Sequence, residues 1–145
     1  MSVIKEIYDV VKDGSALASK AGAIKRALRA ELKLNQKFLK EIERSEVIDN
    51  DRRVEIIHML EIQELAAAVK YEIPYKAVSR KKITQELGEK YKIKRLVGAD
   101  FETLVESLYL MISYLKKDFN NKKIDLNLRL INIYKYNAAL LELIT

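Results

Sequence analysis

The chain has 145 residues, 49% of them hydrophobic and 33% charged, and its 27 Lys and Arg against 21 Asp and Glu leave a net charge of +6. That length and apolar content suit one folded domain over 1–145 and exclude a wholly disordered chain. No cysteine, one proline and four glycines exclude disulfides, thiolate metal sites and a turn-rich sheet protein, so the expected fold is an all-α helical bundle of about five to six helices.

The N-terminal segment, 1–14, reads as a short amphipathic helix over about 3–13, with Val3, Ile4, Ile7, Val10 and Val11 on one side. It has neither the apolar core nor the cleavage site of a signal peptide. Lys5 and Lys12 stand against Glu6, Asp9 and Asp13, a mixture unlike the basic polar face of a membrane-surface helix. Docking on the bundle is expected, with peripheral membrane attachment as the alternative.

Gly14 and Ser15 signal a break, with Ser15 as N-cap of a long second helix over 16–47. Leu17, Ala21, Ile24, Leu28, Leu32, Leu39 and Ile42 form its apolar stripe, and Asn35 falls in the middle of it. A polar residue in such a seam either fixes register or oligomer state or is a partly exposed residue near a helix crossing. Asp49, Asn50 and Asp51 then make a turn and cap before a third helix, 52–72, which is apolar on two sides and therefore central.

Pro74 ends that helix. The lysine-rich segment 74–98 reads as a basic connection with one short helix suggested by Ile83, Leu87 and Tyr91. Asp100 caps a helix over 100–119, whose stripe runs Phe101, Leu104, Val105, Leu108, Ile112, Leu115 and Phe119. Asn120 and Asn121 turn the chain into a last helix, 124–144, apolar around most of its circumference. It must be buried deeply or covered by a second copy, which makes a homo-oligomer through 124–144 one expectation. Asp125, Arg129, Lys135 and Glu142 interrupt that helix, and no integral membrane segment is expected anywhere.

Charge is uneven. Residues 15–45 carry a net of +5, residues 46–73 a net of −4 and residues 74–98 a net of +6. A hairpin pairing of the basic and acidic helices explains part of this. It does not explain Arg26, Arg29, Lys33, Lys37, Lys40 and Arg44, which fall in a sector about 80° wide opposite the apolar stripe and span about 27 Å of helix. Like charges at that spacing oppose helix stability slightly. An anionic partner, either an acidic protein surface or nucleic acid, turns that repulsion into attraction. Lys76, Arg80, Lys81 and Lys82, and further on Lys90, Lys92, Lys94 and Arg95, extend the basic surface, with Tyr75 and Tyr91 placed among them as stacking groups.

Catalytic inventory is thin. Gly14, Gly22, Gly88 and Gly98 form no phosphate-cradling loop. His58, the one histidine, leaves a Ser–His–Asp triad without a nucleophile elbow. Glu55 and His58 make one Glu-x-x-His pair where a di-iron bundle needs two. Residues 79–91 suggest the start of a helix-turn-helix, but no recognition helix follows before Gly98.

One enzymatic pattern remains: Arg53-Val54-Glu55-Ile56-Ile57-His58, an Arg and a His separated by four residues on a helix. It resembles the ribonuclease motif of the HEPN family, in which a dimer cuts RNA without metal. The resemblance implies His58 as general acid or base and Arg53 as phosphate stabiliser, although Val54 replaces the polar residue that family carries after the Arg. The helical pattern places His58 on the Val54, Ile62 and Leu65 side, and so makes it a core or hairpin-packing residue.

The functional expectation is a cytoplasmic, non-catalytic interaction protein with no cofactor or metal, binding a protein partner or nucleic acid through the basic helix face. The alternative is a HEPN-like ribonuclease built on Arg53 and His58.

Overall fold

A computed structural model describes residues 1–11, 14–46 and 49–145. The expected ends of the first and second helices, at 12–13 and at 47, lie outside the described residues, as does the capping role expected of the Ser15 side chain. Among the described residues every regular element is helical: α1 (Val3–Val11), α2 (Gly14–Ala18), α3 (Ala21–Glu43), α4 (Asn50–Met59), α5 (Gln63–Lys70), α6 (Tyr75–Val78), α7 (Gln85–Lys90), α8 (Phe101–Asp118) and α9 (Leu126–Ile144), with a 3-10 turn at Lys94–Leu96. An antiparallel bridge between Lys82 and Asp100 closes the 74–98 segment onto the start of α8.

The all-α class follows the composition, but the helices are shorter and more numerous than the apolar periodicity suggests. The second helix is broken by a turn at Ser19 and Lys20. The third is two helices, α4 and α5, separated by an extended Leu60 at φ −64° and ψ 133°. No glycine or proline marks that second break. Its cause lies in α3. The Asn35 amide donates to the Glu61 carbonyl at 2.7 Å and accepts from the Glu61 N–H at 2.8 Å, while the Glu31 carboxylate accepts from the N–H groups of Glu64 and Leu65 at 2.9 and 2.8 Å. Those donors are ones that the first turn of a helix cannot satisfy internally. Glu31 is therefore an N-cap supplied from another helix, and both Glu31 and Asn35 are buried.

The same device recurs one step on. Glu64, itself in α5, accepts from the N–H groups of Val3 and Ile4 at 2.9 and 3.1 Å and from the Ser2 hydroxyl. α1 is thus held at its N-terminus by α5, and α5 by α3. Its apolar side is only partly covered: Ile4 is buried, but Val10 is 85% exposed.

Elsewhere the caps lie within the local sequence. Asp49, Thr84, Asp100 and Asp125 each accept a backbone N–H three residues on, at 2.9, 3.2, 2.9 and 3.0 Å, which starts α4, α7, α8 and α9. Three C-termini share one geometry. After α3, α5 and α7 the chain turns through left-handed residues Ser45 (φ 57°), Glu72 (φ 48°) and Lys92 (φ 55°). The following N–H returns to a carbonyl in the last helical turn: Glu46 to Glu41, Ile73 to Ala68 and Ile93 to Gly88. This is the Schellman ending, which normally takes glycine at the left-handed position.

α3 and α9 form the central antiparallel pair. Arg29 lies beside Ile144, and the buried Asn137 donates to the Leu32 carbonyl at 3.0 Å and to Gln36 at 2.7 Å. α8 also packs against α9, α4 and α5 lie against α8, and α4 touches α9 as well. Ten of the α9 residues are buried within one copy of the chain, while Leu128 is 55% exposed. A groove between α8 and α9 has Leu110, Met111, Tyr114 and Ile133 along it. Among the described residues no helix is long and apolar enough to cross a membrane.

Candidate functional site

The basic face begins with the amphipathicity of α3. At about 100° per residue, the buried Ile24, Leu28, Leu32, Leu39 and Ile42 face the core, and Arg26, Arg29, Lys33, Lys37, Lys40 and Arg44 point the opposite way. The helix runs without interruption from Ala21 to Glu43, so the row is straight. Arg26, Lys33, Lys37 and Lys40 are exposed and make no hydrogen bond or ion pair among the described residues.

The two other members of the row differ. Arg29 is half-buried, and its guanidinium donates to the Ile144 carbonyl at 2.8 Å, which makes it an anchor for the end of α9. Arg44 stands 3.9 Å from Glu46 with both side chains more than half exposed, too loose a pair to neutralise it in water.

Two of the three acidic side chains of the same helix, Glu31 and Glu41, are used elsewhere, and the third, Glu43, is exposed at its end. Glu31 caps α5. Burial pushes its carboxyl above the usual carboxylate range, against the two backbone N–H groups that pull it down. Glu41 is clasped by Arg52 of α4 at 2.7 Å, and that hydrogen bond holds its carboxyl below the usual range. The ion pair across the α3–α4 hairpin therefore joins an acid of the basic helix to a base of the acidic one. It leaves the outward cations unanswered.

Lys40 also borders a groove floored by α9. On one wall stand Gln36, Lys40 and Glu43 of α3, and on the other Lys90, Tyr91 and Lys92 at the end of α7. Tyr134 and Lys135 line the same groove from α9. Glu142 accepts from the Lys90 ammonium at 2.9 Å and from the Tyr91 hydroxyl at 3.0 Å. The Lys90 hydrogen bond lowers the Glu142 carboxyl, and burial raises the Tyr91 phenol. Tyr134 is half-buried, and its phenol is raised first by burial. It has no hydrogen bond or ring contact among the described residues. Tyr134 and Lys135 were hidden in the sequence by the apolar look of α9; the signal that marks them is the narrow polar arc of Lys135 and Glu142.

The remaining basic candidates divide. Lys81 reaches the Thr145 carbonyl at 3.1 Å, and Ser79 donates to the Leu143 carbonyl at 2.6 Å, so this part of the connection joins Arg29 in holding the end of α9. Lys76, Arg80 and Lys82 line a separate recess of about 300 Å³, with Asp100 and Glu102 in the same wall. Tyr75, expected as a stacking group, donates to the Ala68 carbonyl at 3.2 Å and meets Phe101 edge-on.

Arg53 and His58 both belong to α4. Five residues apart, they sit about 140° from each other around the helix and point to different sides of it. Arg53 is half-buried and donates to Asn50 at 2.9 Å. The expectation that His58 faces the core is corrected: the ring is exposed and meets Phe119 edge-on, with centroids 4.9 Å apart. α4 stops at Met59, and Ile62 and Leu65, which were to continue that apolar side, lie beyond the break. Among the described residues no group of three or more His, Asp or Glu is placed to hold a metal.

These features define a helical bundle with a straight cationic face, unpaired among the described residues along Arg26, Lys33, Lys37 and Lys40, and a tyrosine-lined groove at one end of it. Compared with protein-family models, curated proteins and solved structures, the chain matches none.

Proposed function

We propose that this protein is a non-catalytic interaction module that binds a negatively charged macromolecule through the outward face of α3. The observation that supports the reading is that Arg26, Lys33, Lys37 and Lys40 stand in one exposed row with no ion pair or hydrogen bond among the described residues, while Glu31 and Glu41 of the same helix are engaged elsewhere. Repulsion along such a row is relieved only from outside the molecule.

The test replaces Arg26, Lys33, Lys37 and Lys40 with Glu and leaves the anchoring Arg29 intact. Each reversal removes two charges, so the net charge falls from +6 to −2. A control variant with the same net charge carries Glu at Lys70, Lys117, Lys122 and Lys123, all exposed and off the face. Retention on heparin at physiological salt is expected to be lost in the first variant and largely kept in the second, with both fully helical by circular dichroism. Equal retention of the two removes the face from the function.

A second reading, a metal-independent ribonuclease using Arg53 and His58, is favoured by one observation, the exposure of the His58 ring. Incubation with total RNA distinguishes it. Cleavage by the wild type and none by His58→Ala supports the ribonuclease; no cleavage by the wild type ends it.

A further inference from the structure

We infer that the partner of the basic face is a single-stranded nucleic acid, whose backbone follows α3 and whose bases stack in the groove at Tyr134 and Tyr91. The inference rests on the polyanion-binding reading above and adds to it the class of partner.

Lys40 belongs to both the row and the groove, so the two surfaces are continuous. Inside the groove Lys40, Lys92 and Lys135 outnumber its one carboxylate without an ion pair among the described residues, Glu43, and Glu142 is already engaged by Lys90 and Tyr91. Tyr134 stands among these cations half-buried, which restricts its ring, and has no hydrogen bond or ring contact among the described residues. The Lys90 ammonium lies 5.3 Å from the centre of the Tyr91 ring, so one aromatic face there already carries a cation. Tyrosines set among lysines match a strand that presents phosphates and unpaired bases together. A carboxylate-rich protein surface has no use for the rings, and a duplex keeps its bases stacked out of their reach.

Lys92 offers a separable test. It occupies the left-handed position after α7 at φ 55°, where glycine is the unstrained residue. Ser45, the left-handed residue after α3, borders the same groove. Lys92→Gly therefore separates binding from stability: it should raise the melting temperature and weaken nucleic-acid binding.

The experiment is fluorescence anisotropy on the full chain with a labelled mixed-sequence DNA strand of about 12 nucleotides, a length within the range of one small binding domain. An abasic strand of equal length and poly-glutamate are the comparison probes. The intact strand is expected to bind at least tenfold more tightly than the abasic one, the scale of one stacked base. Tyr134→Leu, which keeps an apolar side chain, should lose most of that difference while leaving abasic binding unchanged. Lys92→Gly should bind both strands more weakly and melt higher, whereas Glu72→Gly should melt higher and bind normally.

Equal binding of intact and abasic strands, unchanged by Tyr134→Leu, overturns the inference and leaves a phosphate-only site. So does binding of poly-glutamate in preference to DNA; loss of that binding in the four-Glu variant of α3 would keep the polyanion reading alive. If none of the probes binds, or if that variant binds every probe like the wild type, the reading and the inference fall together.

Discussion

Asn35 spends both ends of its amide on one residue, the N–H and the C=O of Glu61. Asn35→Ala leaves two backbone groups without partners, a loss of about 2–3 kcal/mol measurable as a lower midpoint in urea. Glu31 carries a pH signature of definite sign. Its carboxyl is raised by burial in the folded state, so the native chain binds that proton more tightly than the unfolded chain does. Ionisation of Glu31 then opposes folding, and its contribution to stability falls as the pH rises from the ordinary value of 4.5 through the higher folded one. Glu31→Gln removes this term, so stability–pH curves for the two proteins should converge toward acid and separate above that window. Parallel curves would show that burial does not raise the group. Asn35 was conspicuous in the sequence as a polar residue in an apolar stripe. Glu31, one turn before it on the same side, looked like any surface carboxylate, because its partners are backbone amides more than thirty positions away, and backbone amides leave no mark in a sequence.

Helix ends repeat the lesson one level up. Caps made by a side chain three residues from its target were readable: Asp49 and Asp100 start α4 and α8 as the sequence implies. Asp125 also caps, and α9 begins after it, at Leu126. The break between α4 and α5 was not readable, since its cause is tertiary. Scarcity of glycine has its own consequence at this scale. Ser45, Glu72 and Lys92 take left-handed positions that glycine occupies without strain. Ser45→Gly and Glu72→Gly should each stabilise by roughly 0.5–1 kcal/mol, the steric relief exceeding the added freedom of the unfolded chain. Calorimetry checks this directly, and a lower melting temperature in both variants would mean the positions are not strained.

For the whole molecule, surface charge was the most legible property, because helical periodicity alone separates an outward row from a buried stripe. The role of each cation within the row was not: Arg29 looks like its neighbours in sequence yet anchors α9. Nucleic-acid affinity should fall with salt, by about 0.7 in log units per log unit of salt for each phosphate neutralised on a single strand. The four-Glu variant of α3 should therefore flatten that slope by about 3. An unchanged slope places the phosphates elsewhere. Finally, the carboxylate chain from Glu31 to Glu64 makes local openings nested. Melting α5 carries away the acceptor that holds the amides of Val3 and Ile4, whereas α1 detaches with Glu31 still gripping α5. Native-state hydrogen exchange should accordingly rank α1 amides as least protected, α5 amides next and α3 amides highest. Severing the lower link with Glu64→Gln should accelerate exchange in α1 alone.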